Sequence, residues 1–155
     1  SKSFCIPGHR LGAITADIKM ISEISKIMKN IQICAPRPGQ QSVAEFLPNL
    51  ENFIDDKCNE IGEKAALFSN SLPKSTGWEI SSIGTFFAYV RHPFKDIKCD
   101  KLSKILASKC GLITIPGIYF GKEQERYLRL SIAGLSNEEI IEVKNRLDLL
   151  NKHLK

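Results

Sequence analysis

Residues 1–14 read SKSFCIPGHRLGAI, and they hold the most informative group of polar side chains in the chain. Lys2 follows a serine, and a Pro-Gly turn separates it from Arg10. Gly8 and Gly12 flank Arg10, so a ligand can approach the backbone there without meeting a Cβ atom. An arginine guanidinium presents a planar fork of N–H donors that suits a phosphate group. The pattern predicts a site where an amine and a phosphate-binding cation act on one ligand.

The composition is that of a globular domain with one sizeable core. Of 155 residues, 43% are hydrophobic and 25% are charged. The apolar runs are too short to span a bilayer, and no stretch has the pattern of a secretory signal. Five widely separated cysteines without a CxxC pair favour reduced thiols over a disulfide framework or a metal site. We therefore expect a cytoplasmic protein without a bound metal.

The first third of the chain predicts a strand and a helix. Residues 11–16 are short and apolar, as in a strand. Apolar residues then recur at three- and four-residue steps over 18–31, which marks one face of a helix. Thr15 or Asp17 can cap this helix, and the prolines within 36–38 must end it.

A second helical pattern covers residues 40–72 and is interrupted by Pro48. Proline is tolerated in the first turn of a helix, where its missing N–H costs nothing. The pattern therefore predicts a short helix followed by a long one. After Gly77 it changes, and WEIS and GTFFAYV have the aromatic and β-branched content of strands.

The last third predicts alternating helices and strands. Asp100 can cap a helix that Gly111 ends. Two strands are predicted at 112–115 (LITI) and 126–133 (RYLRLSIA), and a capping box at 136–139 begins a final helix. Helices first, and then strands mixed with helices, indicate an α+β fold.

The opening stretch resembles the cofactor-lysine signature of class I/II (fold type I) pyridoxal-phosphate-dependent aminotransferases. That signature is Ser-Lys, a small or apolar stretch, and Gly-x-Arg-apolar-Gly. The resemblance implies that Lys2 is the Schiff-base lysine, that Arg10 contacts the cofactor phosphate, and that Ser1, as the serine before the lysine, belongs to the same cofactor site. Cys5 departs from the family, which usually has a small or aliphatic residue there. A purely structural role is the alternative for Lys2 and Arg10.

Further segments resemble the same family in the same order, namely QICAPRPGQQSVAEFLPNL, IGTFFAYV, GLITIPGIYFG and RYLRLSIA. The resemblance implies that Arg129 binds the substrate α-carboxylate, with Arg126 as the neighbouring alternative. Phe86, Phe87 and Tyr119 are candidates for lining the substrate pocket, although aromatic residues on a strand or loop can equally belong to the core.

The resemblance also implies a domain organisation. Residues 1–16 would be a remnant of the large cofactor-binding domain, with its last strand, and 17–155 would form the interface helices and the C-terminal small domain. In that small domain, long helices would pack on a small, mainly antiparallel sheet. In this family the groups that pair with the pyridine nitrogen and the 3′-oxygen precede the lysine. We therefore expect the chain to be the C-terminal part of a homodimeric enzyme, and to be inactive alone.

The expected reaction is the transfer of an amino group from an amino acid to a 2-oxo acid, in two half-reactions that both use Lys2. A pyridoxal-phosphate-dependent C–S β-lyase on the same scaffold is the alternative enzyme. A basic nucleic-acid-binding module is the non-enzymatic alternative, because the formal net charge is +5. The sequence does not specify the amino donor.

Overall fold

The computed structural model describes residues 1–154. It contains two compact units, residues 1–58 and residues 59 onward. The elements are α1 (Ile18–Ile31), α2 (Arg37–Phe46), α3 (Glu51–Ser71), β1 (Glu79–Gly84), β2 (Phe87–Arg91), α4 (Cys99–Ile105), β3 (Ile115–Pro116), β4 (Tyr127–Ser131) and α5 (Asn137–His153). The boundary between the units falls inside α3. The domain division predicted after residue 16 stays a prediction.

In the first unit, α1 has the predicted bounds. The Asp17 side chain accepts a hydrogen bond of 3.0 Å from the Met20 backbone N–H, which satisfies one of the free donors of the first turn. No residue of α1 is buried, and Ile18 is 90% exposed. Residues 11–16 form no strand in this chain, because they pair with no strand among the described residues. A strand there as part of the large domain stays a prediction.

The short and long helices of the prediction are α2 and α3. Helix α2 begins at Arg37 rather than near residue 40, because Pro38 fits the first turn. Pro48 lies in the 3-10 turn Leu47–Asn49 that joins the two helices, just before the start of the long one.

The second unit is built on a four-stranded antiparallel sheet with the order β1-β2-β4-β3. In β2 and β4, side chains alternate between a buried and a half-exposed face, because successive residues of a strand point to opposite sides. Side chains from α3, α4 and α5 complete one core with the buried face. Its largest apolar members are Trp78, Phe68, Leu102, Leu106, Leu128, Ile132, Ile140, Leu147 and Leu150.

Two edges of the sheet differ from the prediction in their detail. β1 carries a register shift between Ile80 and Ser82, where a β-bulge interrupts its pairing with β2. The strand predicted at 112–115 is reduced to the two residues of β3, because only these pair with β4.

Helix ends follow the predicted chemistry at one terminus and depart from it at another. The capping box of α5 is present, with the Ser136 side chain and Glu139 bonding each other's backbone N–H. Helix α4 begins two residues earlier than predicted, with Lys98 rather than Asp100 as its N-cap and Asp100 in its first turn. It continues into a π-helical turn that ends at Gly111, whose φ of 63° lies in the left-handed region.

His92 is a buried ionisable group at the end of β2. Its side chain is fully buried and packs against the rings of Trp78 and Phe94. Burial lowers the His92 pKa to about 4, an effect that the nearby Arg126 guanidinium reinforces and that hydrogen bonding to the Glu125 carbonyl opposes. The folded chain therefore holds the neutral imidazole at neutral pH.

This burial predicts a pH dependence of stability. Because the folded pKa lies below the ordinary value of 6.5, the unfolded chain binds the proton more tightly. The free energy of unfolding should fall as the pH decreases from 6.5 to 4, by about 2–3 kcal/mol. Equilibrium denaturation at several pH values measures this loss, and His92→Phe is the matched variant without the titrating group. Parallel stability curves for the two proteins would contradict the assignment.

Candidate functional site

The face of the sheet that points away from the core carries the predicted carboxylate-binding arginine. Arg129 lies on β4, directly opposite Tyr89 of β2 and Ile115 of β3. Its neighbours along β4, Leu128 and Leu130, are buried in the core. The alternation of β4 therefore presents the Arg129 side chain to the open face of the sheet.

A cavity of about 560 Å³ lies over this face. Its lining residues come from β1, β2, β4 and the loops between strands: Ser82, Ile83, Gly84, Thr85, Phe87, Tyr89, Phe120 and Arg129. Arg129 is the one charged residue in this lining. An otherwise neutral cavity with a single guanidinium suits a ligand that carries a carboxylate.

The Arg129 guanidinium contacts aromatic rings and, among residues 1–154, forms no ion pair with a carboxylate. Its central carbon lies 4.2 Å from the ring centroid of Phe87 and 4.8 Å from that of Phe120. Arg126 differs, because its Nη2 donates a 2.7 Å hydrogen bond to the His92 carbonyl and its Nε is buried. Arg126 thus holds two chain segments together, whereas the positive charge of Arg129 faces the cavity.

Three aromatic residues line the cavity, namely Phe87, Tyr89 and Phe120, and of these Phe87 was predicted from the sequence. Phe87 and Phe120 line the cavity, whereas Phe86 and Tyr119 are not among its lining residues. Tyr119 is 73% exposed, and the Phe86 ring packs edge-to-face on Phe87 at 5.9 Å. The substrate-binding roles of Phe86 and Tyr119 stay predictions. Sequence reasoning missed Phe120, although the turn-rich segment PGIYFG indicated a loop there.

Gly117 fixes the loop that carries Phe120. It begins the 3-10 turn Gly117–Tyr119, which Phe120 follows. A Cβ atom at this position would lie 2.8 Å from both the Tyr127 carbonyl oxygen and the Tyr89 hydroxyl, and closer still to the Gln124 carbonyl oxygen. Only glycine fits this approach, so the loop packs directly against β2 and β4.

The predicted cofactor residues lie together on one loop of the first unit. The backbone nitrogen of Ser1 donates a 3.0 Å hydrogen bond to the Leu11 carbonyl, and the Ser1 hydroxyl donates to the same oxygen. These bonds close residues 1–11 into a loop. The loop packs on α2, where a Cβ atom at Gly39 would lie 3.1 Å from the His9 carbonyl oxygen.

Lys2 and Arg10 both lie on the exposed side of this loop. Arg10 has a left-handed backbone, with φ of 55°, and its Nη1 donates a 2.8 Å hydrogen bond to the Pro7 carbonyl. A Cβ atom at Gly8 or Gly12 would meet nothing within 4 Å. The two glycines therefore leave space on both sides of Arg10. The loop therefore carries the Lys2 amine, which can react with an aldehyde. It also carries the Ser1 hydroxyl and the Arg10 guanidinium, which can donate hydrogen bonds to a phosphate.

Across residues 1–154, no helix is long and apolar enough to cross a membrane. The same residues contain no group of three histidine, cysteine or acidic side chains that could hold a metal ion.

The family model for aminotransferase class I and II matches residues 1–147. The chain belongs to this family. Membership indicates pyridoxal phosphate as the cofactor, as the resemblance of the opening stretch implied.

Curated aminotransferases are similar to almost the whole chain. The aspartate aminotransferase of Pyrococcus horikoshii is 27% identical over 151 residues, which are 96% of this chain and 38% of that protein. The (5-formylfuran-3-yl)methyl phosphate transaminase of Methanocaldococcus jannaschii is 30% identical over 158 aligned residues, covering 98% of this chain and 40% of that protein. The chain thus spans about two fifths of the length of these relatives.

A solved structure has the same fold. The aromatic aminotransferase from Pyrococcus horikoshii superimposes with a TM-score of 0.82 at 24% identity, covering 99% of this chain and 41% of that one. The predicted family and the predicted α+β fold, with helices and a small antiparallel sheet, are therefore confirmed. The residue roles within the site stay predictions.

The close packing at Gly117 yields a testable prediction. Gly117→Ala should lower the free energy of unfolding by about 1–3 kcal/mol, because backbone atoms must move to accept the methyl group. Gly134→Ala is the matched control, since a Cβ atom there meets nothing within 4 Å. Thermal denaturation of both variants measures the difference. Equal melting temperatures would show that the loop is not held as described.

Proposed function

We propose that the protein carrying this chain is an aminotransferase that moves an amino group from an amino acid to a 2-oxo acid. The observation that supports this most directly is the Arg129 guanidinium, which faces a neutral cavity and has no carboxylate partner among residues 1–154. Both substrates of a transaminase carry an α-carboxylate, which an arginine binds through two parallel hydrogen bonds.

In this proposal, Ser1, Lys2 and Arg10 bind pyridoxal phosphate. Lys2 would hold the cofactor at its aldehyde group, and the Arg10 guanidinium and the Ser1 hydroxyl would hold its phosphate. When bound, the cofactor supplies a protonated pyridine ring that withdraws electrons from the substrate α-carbon. The open space beside Gly8 and Gly12 supports this assignment, because a phosphate can approach the backbone there.

The chain's own residues would contribute positioning and proton transfer. Arg129 holds the substrate carboxylate and so fixes the direction of the α C–H bond. The Lys2 amine would carry a proton between the substrate α-carbon and the cofactor, accepting it as a base and donating it as an acid. One residue thereby serves as base and as acid in each half-reaction.

We further propose that residues outside this chain complete the cofactor site. Lys2 and Arg10 are exposed, and an exposed ion pair contributes only about 0–1 kcal/mol to binding. The 155-residue chain alone should therefore be inactive. In the full-length protein we expect a cytoplasmic homodimer, and the exposed free thiols of Cys5, Cys34 and Cys58 favour a reducing compartment.

The experiment that tests the proposal is a screen of amino donors against 2-oxoglutarate with the full-length gene product. A transaminase forms glutamate together with the oxo acid of the donor. Release of ammonia and pyruvate from a cysteine-type substrate would instead indicate the β-lyase. Absence of both products, in a protein that is folded and loaded with cofactor, would reject the proposal.

The assignment of Lys2 predicts where the cofactor attaches. Borohydride reduction of the full-length protein should fix the cofactor on Lys2, and peptide mapping locates the modified residue. Lys2→Ala should lose both the covalent adduct and turnover, whereas Lys26→Ala, which removes an exposed lysine of α1, should keep both. A reduced adduct on any other lysine would contradict the assignment. The 155-residue chain, treated in the same way, should give little specific labelling.

The assignment of Arg129 predicts a loss of substrate binding. Arg129→Lys keeps the charge but loses the fork of donors, so kcat/KM should fall by the equivalent of about 2–4 kcal/mol. Arg126→Lys is the matched control, since Arg126 bonds the His92 carbonyl and should affect stability rather than kcat/KM. If only Arg126→Lys impairs catalysis, the carboxylate-binding arginine has been assigned wrongly.

A further inference from the structure

The Arg129 guanidinium contacts two aromatic rings, and these contacts affect how it can bind a carboxylate. A cation that lies over a ring is attracted by the ring quadrupole and forms no hydrogen bond with it. The N–H groups of a guanidinium point outward in the guanidinium plane. Phe87 and Phe120 attract the cation but, unlike a carboxylate side chain, carry no oxygen that would accept its N–H groups.

The two rings are held by independent parts of the second unit. Phe87 lies on β2, where it pairs with Ser131 of β4, and its ring packs edge-to-face on Phe86. Phe120 lies on the loop after Gly117 and packs edge-to-face on Tyr89 at 6.0 Å. A strand and a loop thus approach the same guanidinium.

Tyr89 anchors the loop side of this arrangement. Its hydroxyl donates a 2.8 Å hydrogen bond to Oε1 of Gln124, and its ring stacks on Tyr127 at 5.2 Å. Because Tyr89 also lies opposite Arg129 in the sheet, one side chain sets the position of the Phe120 ring beside the arginine.

We propose that Phe87 and Phe120 are positioning residues that orient the Arg129 guanidinium toward the substrate carboxylate. This inference rests on the proposed transaminase function and deepens it. An acidic partner would also hold the arginine, but it would compete with the substrate for the same donors. Aromatic rings restrict the side chain and leave its hydrogen bonds available, so less conformational freedom is lost when the carboxylate binds.

The test uses the full-length protein and two measurements of carboxylate binding. One is the KM of the amino donor that gives the highest activity in the screen, and the other is the inhibition constant of propanoate, a carboxylate without an amino group. Phe87→Leu and Phe120→Leu should each raise both values about three- to tenfold, while kcat changes less than twofold. Phe120→Tyr, which retains a ring, should stay within twofold of the unsubstituted protein.

Two controls separate positioning from a general loss of structure. Phe94→Leu makes the same substitution beside Trp78 and His92, away from the cavity lining, and should lower the melting temperature without raising the propanoate inhibition constant. Arg129→Gln removes the guanidinium, so that adding Phe120→Leu should weaken propanoate binding no further. Additive effects in that double variant would show that Phe120 does not act through Arg129.

The outcomes also distinguish this inference from the proposed function. If Arg129→Lys weakens carboxylate binding but neither leucine variant does so, the positioning role is rejected and the transaminase assignment remains. If Arg129→Lys has no effect either, the assignment of the carboxylate-binding arginine is rejected together with the positioning role. If the full-length protein transfers no amino group, the proposed function itself is rejected.

Discussion

The register of β2 against β4 is the constraint on which the second unit depends. With Val90 opposite Leu128 and Tyr89 opposite Arg129, one set of side chains is buried and the other faces the cavity. A slip of one residue would turn Leu128 outward and bury an unpaired guanidinium, which costs several kcal/mol. The hydrophobic core and the position of the arginine are therefore two results of the same pairing.

Beyond the register, the candidate site depends on close packing more than on hydrogen bonds. Gly117 brings its loop against the Tyr127 carbonyl and the Tyr89 hydroxyl, and this approach delivers Phe120 to the cavity. The cavity wall thus includes a short loop whose position is set by excluded volume. In the first unit, by contrast, the loop of Lys2 and Arg10 is closed by hydrogen bonds from Ser1 to Leu11.

Local chemistry made several elements predictable from the sequence. Asp17 and the box at 136–139 cap their helices as expected, because a capping side chain bonds a backbone group only three residues away. Residues 11–16 form no strand in this chain because strand formation needs a partner, which no local pattern supplies. The place of Phe120 in the cavity lining could not be predicted for a related reason: loop geometry, set by Gly117 against distant backbone, decides which ring enters the cavity.

The β-bulge near Ile80 has a consequence for self-assembly. β1 is one edge of the sheet, and a bulge twists an edge strand so that its free N–H and C=O groups no longer form a regular template. The opposite edge, β3, is only two residues long and contains a proline without an N–H. Neither edge can accept an added strand over a useful length, so intermolecular sheet growth is disfavoured at both. Copies of this unit would therefore associate through side-chain surfaces. Such surfaces can be complementary to one partner only, whereas an open backbone edge can pair with any strand.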